Sequence, residues 1–267
     1  MNISITPRDI ELVRVLDRAR WLTTRQIHNH YFGHASVNAC QKRLRKLAEA
    51  AVITTVRPSR TEQSLWRIAK EGIARLQSEV AVVLGIPKRI PGNLDHFVTI
   101  NECRLWFMRH FQADYRLNFF LAEWELKAGR QLQVVPDALA SIQTGQTSSL
   151  ICLEVDLGTE NPAFFKRTKL ENYSELRFGK QEMPSILILV PGRPRMMTLI
   201  RQLYGQFAAR HFFIAEIEPL LAADPQAPSL ISLSDTAGVS IRRSLAELLE
   251  SPHQPSSREE TLSAVKS

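Results

Sequence analysis

Three carboxylates stand in apolar surroundings where a folded chain has little structural use for them. Asp137 follows Pro136 inside the run VVPDALASI, and Glu154 and Asp156 interrupt LICLEVD. Residues 150–156 read as a strand. Alternation then puts Cys152, Glu154 and Asp156 on one face and Ile151, Leu153 and Val155 on the other. Carboxylates projecting together from such a strand repel each other and are costly unless a cation or a basic residue sits between them. A divalent metal with oxygen ligands, Mg2+ or Mn2+, is the usual resolution. A metal held this way can generate hydroxide at neutral pH and stabilise the charge that develops during phosphodiester cleavage. The plainer reading of Asp137 is an exposed acid on an edge strand, where proline is tolerated.

Lys169 and Tyr173 follow in the run KLENYSEL, one helical turn apart, so they can share a face. Lys169 is either a solvated helix lysine or a partner of the acids. Tyr173 either packs on the sheet with its hydroxyl at the rim or serves as a covalent nucleophile. Glu123 and Glu125, read as part of the preceding strand, could supply a further acid.

The elements expected to position these groups follow a helix at Leu94–His110. Strands are expected at Leu117–Lys127, Gln131–Ile142 and Ser149–Leu157, then a helix at Pro162–Phe178, a buried strand at Ser185–Val190, a helix at Arg193–His211 and a strand at Phe212–Ile217. This order predicts an α/β domain with a mixed sheet. Residues 220–240 read as loop, 242–250 as a short helix, and 251–267 as a polar, disordered tail.

The first 85 residues have a different character. Thr6 with Pro7, Thr23 or Thr24, and Ser36 stand where three helices would begin. In the third, Val37, Cys40, Leu44 and Leu47 form one apolar stripe. The opposite face carries Asn38, Gln41, Lys42 and Arg45, with Arg43 and Lys46 nearby. Val52–Val56 and Ser64–Ile68 read as a hairpin with Arg57 and Arg60 at its turn, and a helix follows from about Ala69 to Val83. The succession of three helices, hairpin and helix resembles the winged helix-turn-helix family. That resemblance implies a third helix lying in the DNA major groove, presenting those polar residues to bases and phosphates, with Arg57 and Arg60 reaching the backbone or minor groove.

Charge supports the division. Residues 1–90 carry 16 Lys and Arg against 7 Asp and Glu, and the remaining 177 carry 18 against 20. A lobe of net charge +9 attached to one of −2 suggests that the first part meets a polyanion; an ordinary solvated basic surface is the alternative. The three cysteines are scattered, with no CxxC, so neither a disulfide framework nor a zinc site is indicated. The sequence contains no GxxxxGK[ST], GxGxxG or Ser/His/Asp arrangement, which leaves nucleotide-driven and dehydrogenase roles unsupported. No apolar run approaches the ~18 residues of a membrane span, and the chain reads as cytoplasmic.

PD followed by ExD across two paired strands resembles the PD-(D/E)xK nuclease fold. Members hold a metal on two acids and use a nearby lysine to position or activate water. Asp137 and Glu154 match the acids. The lysine position is Asp156 here, a departure; some members take the lysine from the following helix, where Lys169 or Lys166 would serve. More of the chain resembles the replication-relaxation family: Leu94-Asp95-His96 with Asn101-Glu102, then Trp124-Glu125, VVPDALASI, LEVDLGTE followed by KLENYSEL, and ILILVP, over about residues 5–215. That family belongs to plasmids and mobile elements and includes mobilisation proteins of the MobC type, pairing a winged helix with a nuclease-like domain. The resemblance implies a metal-dependent nick at an origin, centred on Asp137, Glu154 and Asp156.

The expected fold is therefore α+β or α/β in two domains: a winged helix-turn-helix over 1–85, a linker over 86–93, a PD-(D/E)xK-like αβββαβ domain with a mixed sheet over 94–218, and a C-terminal extension over 219–250. Double-stranded DNA is the expected partner, with other mobilisation or replication proteins and a homodimer beside it. The rival function is a non-catalytic DNA-binding regulator or accessory factor whose nuclease fold is degenerate and serves dimerisation or partner binding. A pure protein-interaction adaptor is a third class.

Overall fold

The computed structural model describes residues 3–58, 63–76, 84, 86–112, 115–129, 134–159, 161, 163, 167, 169, 172–173, 184–203, 211–227, 229–233 and 240–250. Arg60, Lys166 and the 251–267 tail lie outside the described residues, as do 77–83 and most of the helix expected over 162–178. The chain divides into two compact units, Met1–Arg109 and His110–Ser267.

In the first unit, α1 (Pro7–Ala19), β1 (Leu22–Thr23), α2 (Thr24–Tyr31) and α3 (Val37–Glu49) precede the hairpin β2 (Ile53–Val56) and β3 (Leu65–Ile68), then α4 (Lys70–Leu76) and α5 (Leu94–His110). Local chemistry sets the starts. Thr6 and Asp9 form a reciprocal capping box ahead of Pro7, Thr23 and Gln26 form a second, and the Ser36 hydroxyl accepts from Ala39 N. β3 lies between β1 and β2, all antiparallel. Leu12, Leu16, Leu22, Ile27, Cys40, Leu44, Leu47, Ile53 and Trp66 share one buried core. α4 seats against the turn before β2 so closely that a Cβ on Gly72 would lie 2.0 Å from the Val52 carbonyl oxygen, so only glycine fits there.

Two expectations change in this unit. The helix at 94–110, assigned by sequence to the second domain beyond a linker at 86–93, packs with the first unit. Leu105 joins its core, Gln26 Nε2 donates to the Val98 carbonyl (2.9 Å), and Asn101 Nδ2 donates to the carbonyls of Ala19 and Trp21 (both 3.1 Å). Amphipathic patterning locates the apolar face of a helix and not the surface that covers it. The second change is Val37. Cys40, Leu44 and Leu47 are fully buried as expected, but Val37, at the first position of α3, is 50% exposed. The stripe runs past the end of the core.

The second unit is built on a seven-stranded mixed sheet in the order β10-β9-β8-β7-β6-β5-β4. Its strands are β4 (Tyr115–Ala122), β5 (Ala138–Thr144), β6 (Thr147–Val155), β7 (Ser185–Val190), β8 (Phe212–Glu216), β9 (Leu230–Leu233) and β10 (Ser240–Arg243). β4, β5 and β6 are antiparallel, β6, β7 and β8 parallel, and β8, β9 and β10 antiparallel again. Its helices include α6 (Glu123–Gly129), α7 (Arg193–Leu203), α8 (Ile217–Ala222) and α9 (Leu245–Glu250). β7, SILILV, is buried along its whole length, as befits a central parallel strand.

Here too the expectations need amending. Residues 123–127 are not the end of a strand. Glu123 and Glu125 open α6, where Glu123 pairs with Lys127 and Glu125 Oε2 accepts from Ala122 N at 2.9 Å. Glu123 N also donates to the Asp137 carbonyl (2.8 Å), so the start of α6 lies beside Asp137, just ahead of β5. The supposed loop at 220–240 contains the end of α8 and the strand β9, and β10 continues the sheet. Among the described residues, no helix is long and apolar enough to cross a membrane.

Candidate functional site

The first unit offers an exposed polar face. Asn38, Gln41, Lys42, Arg45 and Lys46 on α3 are all exposed, opposite the buried Cys40, Leu44 and Leu47. Arg57, just past β2, is exposed as well, with Nη2 3.4 Å from Ser64 Oγ. Arg43 differs. Its Nε donates to Asp9 Oδ1 (3.0 Å), its Nη2 bonds Asp9 Oδ2, and Nη2 also donates to the Ser4 carbonyl (2.8 Å). Burial would raise the Asp9 carboxyl, but the Arg43 guanidinium and the Thr6 hydroxyl and N–H outweigh it and hold the pKa below its usual value. Arg43 therefore ties α3 to the start of α1 and does not belong to the outward face expected for it.

A groove of about 490 Å³ opens between α2, the start of α3 and the hairpin. Arg25, His28, Val37, Gln41 and Arg57 line it. Arg25 and His28 were not singled out from sequence. The backbone bond from Thr24 N to the Ser64 carbonyl (3.2 Å) holds the start of α2 beside β3 and sets the groove's shape.

The second unit holds a buried carboxylate centre. Asp137 immediately precedes β5, whose Ala138 pairs with Leu153, so Asp137 comes beside Glu154 at the end of β6. Asp137 Oδ2 accepts from Val155 N at 2.7 Å, which fixes its carboxylate across the two strands. Glu154 is 1% exposed. Its Oε2 accepts from Lys169 Nζ at 2.7 Å, and its Oε1 takes a short hydrogen bond from the Tyr173 hydroxyl. Tyr173 is wholly buried among Cys152, Ile186, Ile188 and Phe212, with its ring edge-on to Phe212. The one-turn spacing of Lys169 and Tyr173 thus delivers both to the same carboxylate.

Burial and the neighbouring Asp137 carboxylate push Glu154 up to about 7, against the pull of Lys169 and Tyr173. Burial and the adjacent Glu154 carboxylate hold the Tyr173 hydroxyl well above its usual value, so it stays protonated and donates. A carboxyl poised near neutrality can hold or release a proton.

Asp156 is placed differently from the expectation that the three acids act together. It lies just beyond β6, where its N–H bonds the Leu189 carbonyl (2.8 Å). Its Oδ1 accepts from Gly158 N (2.8 Å), and its Oδ2 accepts from Arg195 Nε (2.8 Å) and Nη2 (2.7 Å). The cation that relieves Asp156 is a guanidinium from the first turn of α7. Among the described residues no group of three His, Cys, Asp or Glu side chains converges as a metal would require. What remains for a hard cation is the Asp137–Glu154 pair. Its donor chemistry fits Mg2+ or Mn2+, since Mg2+ commonly binds one or two carboxylates and completes its shell with water and substrate phosphate.

No curated protein and no solved structure matches the chain. A family model described as replication-relaxation matches residues 13–186, from within α1 through α3, Asp137, Glu154, Lys169 and Tyr173 to the start of β7. With well over half of its 267 residues inside that match, the chain belongs to the replication-relaxation family.

Proposed function

We propose that this is a DNA-binding protein of plasmid or mobile-element replication or mobilisation, whose first unit acts as a winged helix-turn-helix. The observation that carries the reading is the face of α3, with five exposed polar or basic side chains opposite three fully buried apolar ones. An α-helix fits the roughly 12 Å major groove, and Lys42, Arg45 and Lys46 supply phosphate contacts while Asn38 and Gln41 reach base edges. Arg57, exposed just past β2, would serve as the wing's contact with the backbone. Binding of labelled duplex DNA by the full chain, lost in the Lys42→Ala/Arg45→Ala double variant, tests this; undiminished binding by that variant would remove α3 from the interface.

For the second unit the proposal is a PD-(D/E)xK-like nuclease site acting on a phosphodiester. Asp137 and Glu154 would hold Mg2+ or Mn2+, which when bound supplies charge stabilisation and an activated water. Lys169 stands in for the lysine that Asp156 replaces, and its ammonium keeps Glu154 oriented. Tyr173, wholly buried with its hydroxyl on Glu154, serves as a positioning residue rather than the covalent nucleophile. Asp156 with Arg195 braces the ends of β6 and α7. A second reading, a non-catalytic DNA-binding regulator, draws on one observation: both Glu154 oxygens already accept hydrogen bonds. Supercoiled plasmid carrying the cognate origin separates the two. Metal-dependent nicking that disappears in Asp137→Asn supports the nuclease; tight binding without nicking by the wild type supports the regulator.

A further inference from the structure

Val37 is the most exposed large apolar residue described in the first unit, and it sits on an otherwise polar groove wall. Residues 33–39 are all exposed, so nothing described within the first unit covers the start of α3. Gln41 lies one turn further along the same wall. Four residues of helix rise about 6 Å, slightly less than two base-pair steps of about 3.4 Å. Arg25 and Arg57 flank the same groove, and both are cations suited to backbone phosphates.

In the major groove, thymine alone among the DNA bases presents a methyl group, which apolar side chains contact, and adenine presents an N6 donor beside an N7 acceptor, which a glutamine amide matches. We infer that Val37 and Gln41 are specificity-determining residues that read A·T pairs within two neighbouring steps. Val37 packs on a thymine 5-methyl, Gln41 pairs with an adenine edge, and Arg25 and Arg57 anchor the adjacent phosphates. The inference rests on the DNA-binding reading above and adds a base class to it. Val37 gains nothing from the core in its observed place, and an exposed isopropyl group on a polar wall has a use if a methyl group meets it.

The test begins with selection of randomised duplexes by the full chain, which should enrich A·T at one or two fixed positions. At those positions thymine is then replaced by deoxyuridine, which removes the methyl group and leaves base pairing unchanged. Wild type should bind the deoxyuridine duplex about fourfold more weakly, the worth of roughly one buried methyl group. Val37→Ala should bind both duplexes equally, and Gln41→Ala should lose its preference for adenine while still sensing the methyl. Equal wild-type binding to thymine and deoxyuridine duplexes, or discrimination retained by Val37→Ala, would overturn the inference and leave DNA binding intact. Absence of binding to any duplex would overturn both. Because Val37 is half exposed, its truncation should leave the melting temperature unchanged, and that control separates lost recognition from lost folding.

Discussion

The α3 face and the Glu154 centre are both rich in polar side chains, yet they are opposite in kind. On α3, Asn38, Gln41, Lys42, Arg45 and Lys46 extend into solvent. At Glu154, which is itself buried, each carboxylate oxygen accepts from a side-chain donor. The first arrangement leaves its groups exposed, which is what the proposed DNA contact requires. The second is a buried network centred on one carboxyl held near neutrality. Arg43 shows how narrow the distinction is, because it sits among the α3 residues in sequence and behaves like the second class, locked to Asp9.

The contrast breaks most visibly at Lys169. Lys169→Met leaves Glu154 buried without its ammonium, and destabilisation of about 3–5 kcal/mol is expected at pH 8. The loss should shrink at pH 5, where Glu154 protonates. Denaturant unfolding at both pH values measures it, and equal loss at each would show that the pairing is not what matters.

The pH dependence of the wild type follows from the same carboxyl. Its folded pKa of about 7 lies above its ordinary value of 4.5, so the folded state holds the proton more tightly. That contribution is fully present below pH 4.5 and is lost as pH rises through 7. It amounts to roughly 3 kcal/mol, and Glu154→Gln should flatten the stability profile across this window in calorimetry. A profile unchanged by the substitution would mean that Glu154 titrates normally.

Arg43→Ala and Lys42→Ala sharpen the comparison within α3. Removing Arg43 strips the buried Asp9 of its partner and should cost about 2 kcal/mol of stability, whereas Lys42→Ala should stay within about 0.5 kcal/mol. Thermal melts of the two variants side by side decide whether neighbours on one helix divide between fold and partner.

Much of this was legible beforehand for identifiable reasons. Capping residues announced three helix starts, the spacing of Cys40, Leu44 and Leu47 marked a buried face, and SILILV read as a buried strand. The pairing of Lys169 and Tyr173 was visible in their four-residue spacing. Less was visible where partners are distant in sequence. Arg195 meets Asp156 across 39 positions, so an acid that looked destined for a metal is satisfied by a guanidinium. Val37 continued the stripe by period, but it is the first residue of its helix and the core ends before it. AEWELK alternates like a strand, yet Glu125 bonds back to Ala122 N and starts a helix. The strands β9 and β10 are four residues each, too short to stand out from a polar stretch.

The central claim, that the exposed face of α3 meets DNA, is tested most directly by the salt dependence of duplex binding. Fluorescence anisotropy of the full chain should give an observed association constant that falls steeply with salt. Its log–log slope should diminish by about one unit for each of Lys42→Ala and Arg45→Ala, with the melting temperature of each variant preserved. A wild-type affinity insensitive to salt, or slopes unchanged in both variants, would contradict the account.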